Sequence, residues 1–300
     1  MDIDTEAAGA AGRSDRRRRF IFEHMDLRGE LVHLDAVLKD IRATHHYAPA
    51  VGSLLGEFIA ASVLLASTLK FRGTLTVQAR SERQVPLIMA ECNSRLEVRG
   101  IARGADGATG QTFAELLGEG QLALTMTPER GRRYQGIVPL NDRSLAASID
   151  SYFAQSEQLH TCLYLAADGG RAAGMLLQQL PMQRVLDPAL RADQWRRVNA
   201  LAATLTDAEL LDIDDATLLH RLFHEDDLRL LGDDTVRFRC SCSQDRTLAA
   251  LATIGEAEVR SILDEQGAVT MDCEFCNQRY VFREEHLRGL FERPGAQPLH

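Results

Sequence analysis

From Ala50 to Leu69 the chain reads AVGSLLGEFIAASVLLASTL. A helix of this composition is apolar on most of its faces, so it must be covered from more than one side. Its length approaches that of a membrane span. Against spanning, it carries Glu57 and the hydroxyls of Ser53, Ser62, Ser67 and Thr68, and no aromatic belt flanks it. Gly52, Gly56 and Ala60 recur at every fourth residue, which lets another backbone come close. The expectation is a buried central helix with layers on both sides, in a chain with no membrane partner.

The flanking segments supply candidate layers. Residues 20–34 suggest two short strands around Arg28-Gly29, followed by a short helix over about Asp35–Ala43 and the apolar helix, opened near Pro49. Strand-like runs follow at GTLTVQAR, QVPLIMAEC, RLEVRGIAR, GQLALTMT and RRYQGIVPL, the last two joined by the turn PERG. A helix is expected over about Ser144–Gln155, then strands TCLYLAAD and GMLLQQLP around Gly169-Gly170. Adjacent strands on short turns predict an α+β fold with an antiparallel-rich core. The loop GADGATG imitates a phosphate loop but lacks its order and its Lys, so it reads as a plain loop.

After Pro181 and Pro188 the character changes. Residues 206–234 contain ten Asp or Glu, and Leu210, Leu211, Leu218, Leu219, Leu222 and Phe223 form apolar stripes. Short acidic helices of this kind are marginal alone and need a surface to dock on. The expected organisation is a disordered basic tail at 1–19, an α+β core at 20–190, a helical acidic linker at 191–234, a small module at 235–293 and a tail at 294–300. The basic run RSDRRRR at 13–19 is not followed by the apolar stretch of a secretory signal. The compartment is therefore expected to be reducing and the location cytoplasmic.

The C-terminal module holds four of the six cysteines, in the pairs CSC (Cys240, Cys242) and CEFC (Cys273, Cys276). A module of about 60 residues is marginal on hydrophobic burial and usually needs a staple. Four thiolates can hold one tetrahedral Zn²⁺, expected at one per chain. The CxxC half is common in such sites. The CxC half is less so, because alternate residues of a strand face opposite ways, and the chain must turn between them. Each pair is also close enough in sequence to close its own disulfide. Oxidants attack thiolates, so losing either pair to oxidation removes two ligands. The arrangement suits a switch as well as a staple.

Other candidates carry less. Cys92 and Cys162 lie in predicted strands among apolar neighbours and read as inert buried thiols. His220 and His224 sit one helical turn apart but lack a third ligand. His45-His46 precede Tyr47 and Pro49 in a helix-entry loop and suit a cap or surface role. A zinc-ribbon nucleic-acid binder is one alternative. Net charge is −9, and residues 237–293 hold eight Arg and no Lys against ten Asp or Glu, so the basic footprint is missing. A CxxC thiol oxidoreductase is another. Asp272 and Glu274 flank Cys273 and disfavour its thiolate, and no βαβ unit precedes the motif. No Ser-His-Asp set, Walker loop or dinucleotide fingerprint is present, so no catalytic residues are expected.

The order CxC…CxxC, with RLFHE upstream and CEFCNQRYVF at the second pair, resembles the family of redox-regulated heat-shock chaperones of about 33 kDa. YAPAVGSLLGEFIAASVLLASTLKFRGTLTVQ, RYQGIVPL, YFAQSEQ and GMLLQQLP match that family's signature stretches, and the resemblance covers about residues 20–292. It implies a non-enzymatic chaperone whose reduced form binds zinc through Cys240, Cys242, Cys273 and Cys276 and is an inactive monomer. Oxidation would pair Cys240 with Cys242 and Cys273 with Cys276. Zinc would leave, module and linker would unfold, and a dimerising, ATP-independent holdase for unfolded or oxidatively damaged proteins would result. The basic N-terminal stretch lies outside what the resemblance explains.

Overall fold

The computed structural model describes residues 15–68, 72–141, 143–156 and 159–287. Expectations for residues 1–14, for the module beyond 287 and for the tail at 294–300 lie outside the described residues, as do Glu157 and Gln158 of YFAQSEQ. The chain opens with β1 (Arg16–Phe22), β2 (Leu27–Leu34), α1 (Ala36–Thr44) and α2 (Pro49–Ala66). Then come β3 (Gly73–Ser81), β4 (Leu87–Asn93), β5 (Glu97–Arg103), α3 (Phe113–Leu116), β6 (Gly120–Pro128) and β7 (Tyr134–Pro139). After α4 (Leu145–Ser156), β8 (Thr161–Ala167) and β9 (Ala172–Gln179) the helices α5 (Pro188–Ala202), α6 (Asp207–Asp212) and α7 (Asp215–Phe223) follow. The remainder is β10 (Leu228–Thr235), β11 (Arg237–Phe238), α8 (Gln244–Ile254), α9 (Glu256–Gln266), β12 (Val269–Asp272), β13 (Arg279–Phe282) and α10 (Glu284–Leu287).

Two sheets enclose α2. One has the order β10-β1-β2-β9-β8, the other β11-β5-β4-β3-β6-β7. All pairings among the described residues are antiparallel except β11 with β5. Val51, Phe58, Ile59, Val63 and Leu64 of α2 are fully buried and join one core with Val32 and Leu176 from the first sheet and Val77 and Ile88 from the second. Small residues set the spacing. A Cβ on Gly56 would stand 3.2 Å from the Cβ atoms of Ala167 and Ala172, and one on Gly100 would stand 3.1 Å from Leu55 and Ile59. Although α2 is long and apolar enough to cross a membrane by composition, 72% of its length is buried inside this core.

Three expectations about the first sheet change. The Arg run is not all tail, since Arg16–Arg19 lie in β1, between β2 and β10. The reversal between β1 and β2 falls at residues 23–26, not at Arg28-Gly29, which lie inside β2. Gly29 is needed there for another reason: the Phe20 ring occupies the space a Cβ would take. Finally, the acidic segment expected as helix to 234 ends as strand β10, which pairs with β1 from Arg16↔Thr235 to Phe22↔Leu228. The ion pairs explain both. Arg16 meets Asp233, Arg17 meets Asp234 at 2.7 Å, and Arg18 meets Asp233 at 3.4 Å. Arginines that looked solvated on their own have their counter-charges more than 200 residues away.

Helices α5–α7 dock on the outer face of this sheet. Val198, Ala202, Leu210, Leu218, Leu222 and Phe223 are buried against Phe20, Phe22, Leu31, Met175 and Leu177. Both acidic helix starts are capped, by Thr206 with Glu209 and by Asp214 on the Thr217 amide. Asp26 ties the entry to α5. It accepts from the amides of Gln183, Arg184 and Val185 and from Arg191 at 2.5 Å. Burial works to raise its pKa, but those amides and Arg191 hold it below the usual carboxylate value.

A one-turn helix, α3, was not expected. Its signal was present as Thr112 and Glu115, whose side chains form a capping box. In the GADGATG loop the amides of Thr109 and Gly110 both donate to Gln84 Oε1, so they serve structure. The chain divides into two compact units, residues 1–239 and 240–300. That boundary falls after 235, because Arg237 and Phe238 pair with Glu97 and Val98 of β5 and so belong to the first unit.

Candidate metal centre

The second unit is small. Its core consists of Leu251, Val259, Val269, Phe282 and Leu287, with partly buried neighbours such as Ile262 and Met271. Helices α8 and α9 and the hairpin β12–β13 carry these side chains. Ser243 caps α8 by accepting from the Arg246 amide, and Gly267 ends α9 in the left-handed region at φ 73°.

The four cysteines converge here. The sulfurs of Cys240, Cys242, Cys273 and Cys276 all lie within 4.8 Å of one another, and each residue is half-buried. Cys240 Sγ is 3.6 Å from Cys273 Sγ, and Cys242 Sγ is 3.5 Å from Cys276 Sγ. Four sulfurs at about 2.3 Å from a tetrahedral Zn²⁺ stand roughly 3.8 Å apart, so the spacing fits such an ion. Among the described residues this is the one cluster of three or more His, Cys, Asp or Glu side chains with metal-ligand geometry.

Local structure explains how each half presents two sulfurs. Strand β11 ends at Phe238 and α8 begins at Gln244, so Cys240-Ser241-Cys242 is free of strand alternation. Arg246 Nη1 donates to the carbonyl and the hydroxyl of Ser241, both at 2.8 Å, and pins this turn. The CxxC half sits on the turn between β12 and β13. There the Asn277 amide donates to the Cys273 carbonyl at 2.7 Å, with Asn277 at φ 54°. Amides of Phe275 and Cys276 donate to the Cys273 sulfur, and that of Gln278 to the Cys276 sulfur. Such donors favour thiolate.

The electrostatics suit a cation. Burial pushes the Cys273 and Cys276 thiols up, and the neighbouring thiols add to this, against the pull of the amides. Four adjoining sulfurs resist sharing negative charge among themselves, and a divalent cation at their centre relieves that repulsion. The Tyr280 hydroxyl donates to Cys242 Sγ at 3.2 Å, which, with burial, pushes the phenol up to about 12. Asp272 does not act on Cys273 as a lone charge, because Arg279 binds it with two hydrogen bonds at 2.8 and 2.9 Å. Arg246, Tyr280 and Arg279 were missed from sequence. No spacing rule flags them, and only the fold sets Tyr280 on the Cys242 sulfur, Arg246 on Ser241 and Arg279 on Asp272.

The other candidates fall elsewhere. Cys92 is fully buried in β4, and burial drives its thiol pKa well above the ordinary value. Cys162 in β8 is half-buried, its pKa pushed up to about 12 by burial and by Asp150. The rings of His220 and His224 stack edge-on at 5.9 Å. His45 stacks on Tyr47 at 5.5 Å, and the Tyr47 hydroxyl accepts from the Ala102 amide.

The model of the Hsp33 protein family matches residues 15–283. The chain belongs to the Hsp33 family. A 33 kDa chaperonin of Pseudomonas paraeruginosa (strain DSM 24068 / PA7) is 48% identical to this Hsp33-family chain over 287 residues, covering 95% of it and 97% of the relative. Another, from Pseudomonas syringae pv. syringae (strain B728a), is 46% identical over 285 residues, covering 94% and 95%. The crystal structure of a 33 kDa chaperonin (heat shock protein 33 homolog) from Thermotoga maritima superposes with a TM-score of 0.77 at 21% identity, over 93% of this chain and 98% of that one. At that identity the likeness shows the Hsp33 fold alone.

Proposed function

We propose that this Hsp33-family chain is an ATP-independent holdase of the cytoplasm, switched on by oxidation of its four clustered cysteines. The convergence of four sulfurs in a unit with five buried apolar side chains carries the reading. Zn²⁺, one per chain, is held by Cys240, Cys242, Cys273 and Cys276. When bound, it supplies cross-linking of the two halves, and structural zinc contributes on the order of 10–16 kcal/mol of apparent folding free energy to small modules.

The thiolates are the reacting groups. A two-electron oxidant such as hypochlorous acid or peroxide takes two electrons from each pair and leaves reduced, as chloride and water or as water. One S–S bond forms between Cys240 and Cys242 and one between Cys273 and Cys276, a pairing carried over from the family resemblance. Sulfur contacts of 3.6 and 3.5 Å run between the halves, so pairing within each half dismantles the tetrahedral set. With its ligands gone, a unit with so small a core unfolds. Helices α5–α7 then lose their docking, and the face of Phe20, Phe22, Leu31, Met175 and Leu177 opens to unfolding clients and to a second copy of the chain.

Zinc release and suppression of aggregation of a heat-unfolded client should be followed together while the reduced protein is oxidised. The two should rise in parallel without ATP and reverse with reductant and zinc. Replacing Cys273 and Cys276 by Ser should cut zinc below one per chain and uncouple client holding from oxidant. Reduced, zinc-loaded protein that holds clients as well as the oxidised form would falsify the switch.

A further inference from the structure

The two cysteine halves also meet through a side chain. Tyr280 lies on β13 and pairs in register with Met271 of β12. Strand alternation puts it on the same face as Phe282, which is fully buried in the core of the small unit. The Tyr280 ring packs half-buried against that core, and its hydroxyl donates to the sulfur of Cys242 at 3.2 Å. The donor therefore comes from the hairpin that carries Cys273 and Cys276. The acceptor belongs to the other half of the cluster, 38 residues earlier in sequence.

The sulfurs differ in what supplies their hydrogen bonds. Cys273 accepts from the amides of Phe275 and Cys276, and Cys276 from that of Gln278. Those donors belong to the backbone of the turn and stay in place whatever side chains surround them. Cys242 accepts from a side chain, so the residue at 280 decides whether that donor exists. A hydrogen bond onto a thiolate draws negative charge away from sulfur. It steadies the anion as a metal ligand and blunts it as a nucleophile. An O–H donor on an ionised acceptor is among the stronger hydrogen bonds.

We infer that Tyr280 is a positioning residue for the redox reaction: its hydroxyl fixes Cys242 Sγ for metal binding and slows the attack of that sulfur on oxidant. The inference rests on the switch reading and adds to it the group that sets the reactivity of one sulfur. With peroxide, the Cys242 thiolate attacks one oxygen, the O–O bond breaks, and hydroxide leaves with the electron pair. The Cys240 thiolate then attacks the resulting sulfenic acid, closes the S–S bond and expels a second hydroxide. The two sulfurs together give up two electrons, and peroxide is reduced to two hydroxides, which solvent protonates to water. The first step draws on the sulfur electron density that the Tyr280 hydroxyl withdraws, so it is the step that the hydrogen bond slows.

The test compares wild type with Tyr280→Phe, both as reduced, zinc-loaded full chains. Phenylalanine keeps the ring on the core and removes only the hydroxyl. With peroxide in excess, mass spectrometry of each cysteine should show Cys242 oxidised about 10-fold faster in the variant, the usual worth of a hydrogen bond to a charged group. Cys273 should keep its wild-type initial rate. Competition with a chromophoric chelator should show zinc held about 10-fold more weakly, the low end for losing an outer contact of a metal ligand. With Co²⁺ in place of zinc, the sulfur-to-metal charge-transfer band should move to lower energy, a change that looser packing alone does not produce. Site-specific 3-fluorotyrosine at position 280, a stronger donor, should move the band and the Cys242 rate the opposite way. That chain carries the test if the phenylalanine variant does not fold. Equal acceleration at Cys242 and Cys273, an unmoved band, or an unchanged Cys242 rate would overturn the inference and leave the switch reading standing. A wild-type chain that takes up no metal would overturn both.

Discussion

Glu57 shows how a single residue reports its surroundings. It lies on α2, and burial, followed by the charge of Asp207 on α6, pushes its carboxyl up to about 7 from an ordinary 4.5. The folded chain therefore keeps a proton that the unfolded chain releases. Stability falls as pH rises through the window between those values, and the loss is complete above about 7. Glu57→Gln should raise the melting temperature at pH 8 by about 2–4 °C for each kcal/mol relieved, with little change at pH 4. Equal shifts at both pH values in thermal melts would show that ionisation is not the cause. At this scale the sulfurs were legible in the sequence, since CxC and CxxC are local patterns. Arg246 on the Ser241 turn and Tyr280 on Cys242 were not, because nothing in their spacing marks them.

Among the elements, the pair β1–β10 departs furthest from a local reading. Arg16–Arg18 face Asp233 and Asp234 across an antiparallel ladder that closes the edge of the first sheet. Exposed ion pairs contribute roughly 0–1 kcal/mol each, but reversing one partner replaces attraction with repulsion. Asp233→Lys with Asp234→Lys should speed amide exchange across residues 228–235 by about 10-fold, which corresponds to about 1.4 kcal/mol. Exchange in β9, with which β1 does not pair, should stay unchanged, and added salt should shrink the difference. A salt-independent effect would point to side-chain size instead of charge. Helices α1, α2 and α4 and the strands β3–β9 follow from periodicity and turn residues. β10 does not, since an acidic run with Leu228, Leu230 and Leu231 suits either a helix end or a strand until a basic strand is beside it.

In the whole molecule, stability is graded between the two units. The first has α2 sealed between two sheets, with Phe58, Ile59 and Val63 fully buried. The second rests on five buried apolar side chains and the sulfur cluster. Removing metal from reduced protein with a chelator should therefore strip hydrogen-exchange protection from 240–287 first, while amides of residues 50–66 stay protected. Simultaneous loss in both regions would mean that the units unfold as one.

The sequence alone determined what depends on near neighbours. An all-round apolar helix had to be enclosed, strands on short turns had to pair antiparallel, and two close cysteine pairs in a small module had to meet at one point or close on themselves. The tertiary structure decided what depends on distant ones. It turned the arginines at the end of a supposed basic tail into a paired strand, ended the acidic linker as that strand's partner and moved Arg237–Phe238 into the first unit. The physical reason is range. Periodicity and capping act over a few residues, whereas a charge or a sheet edge is satisfied by whatever the fold places beside it.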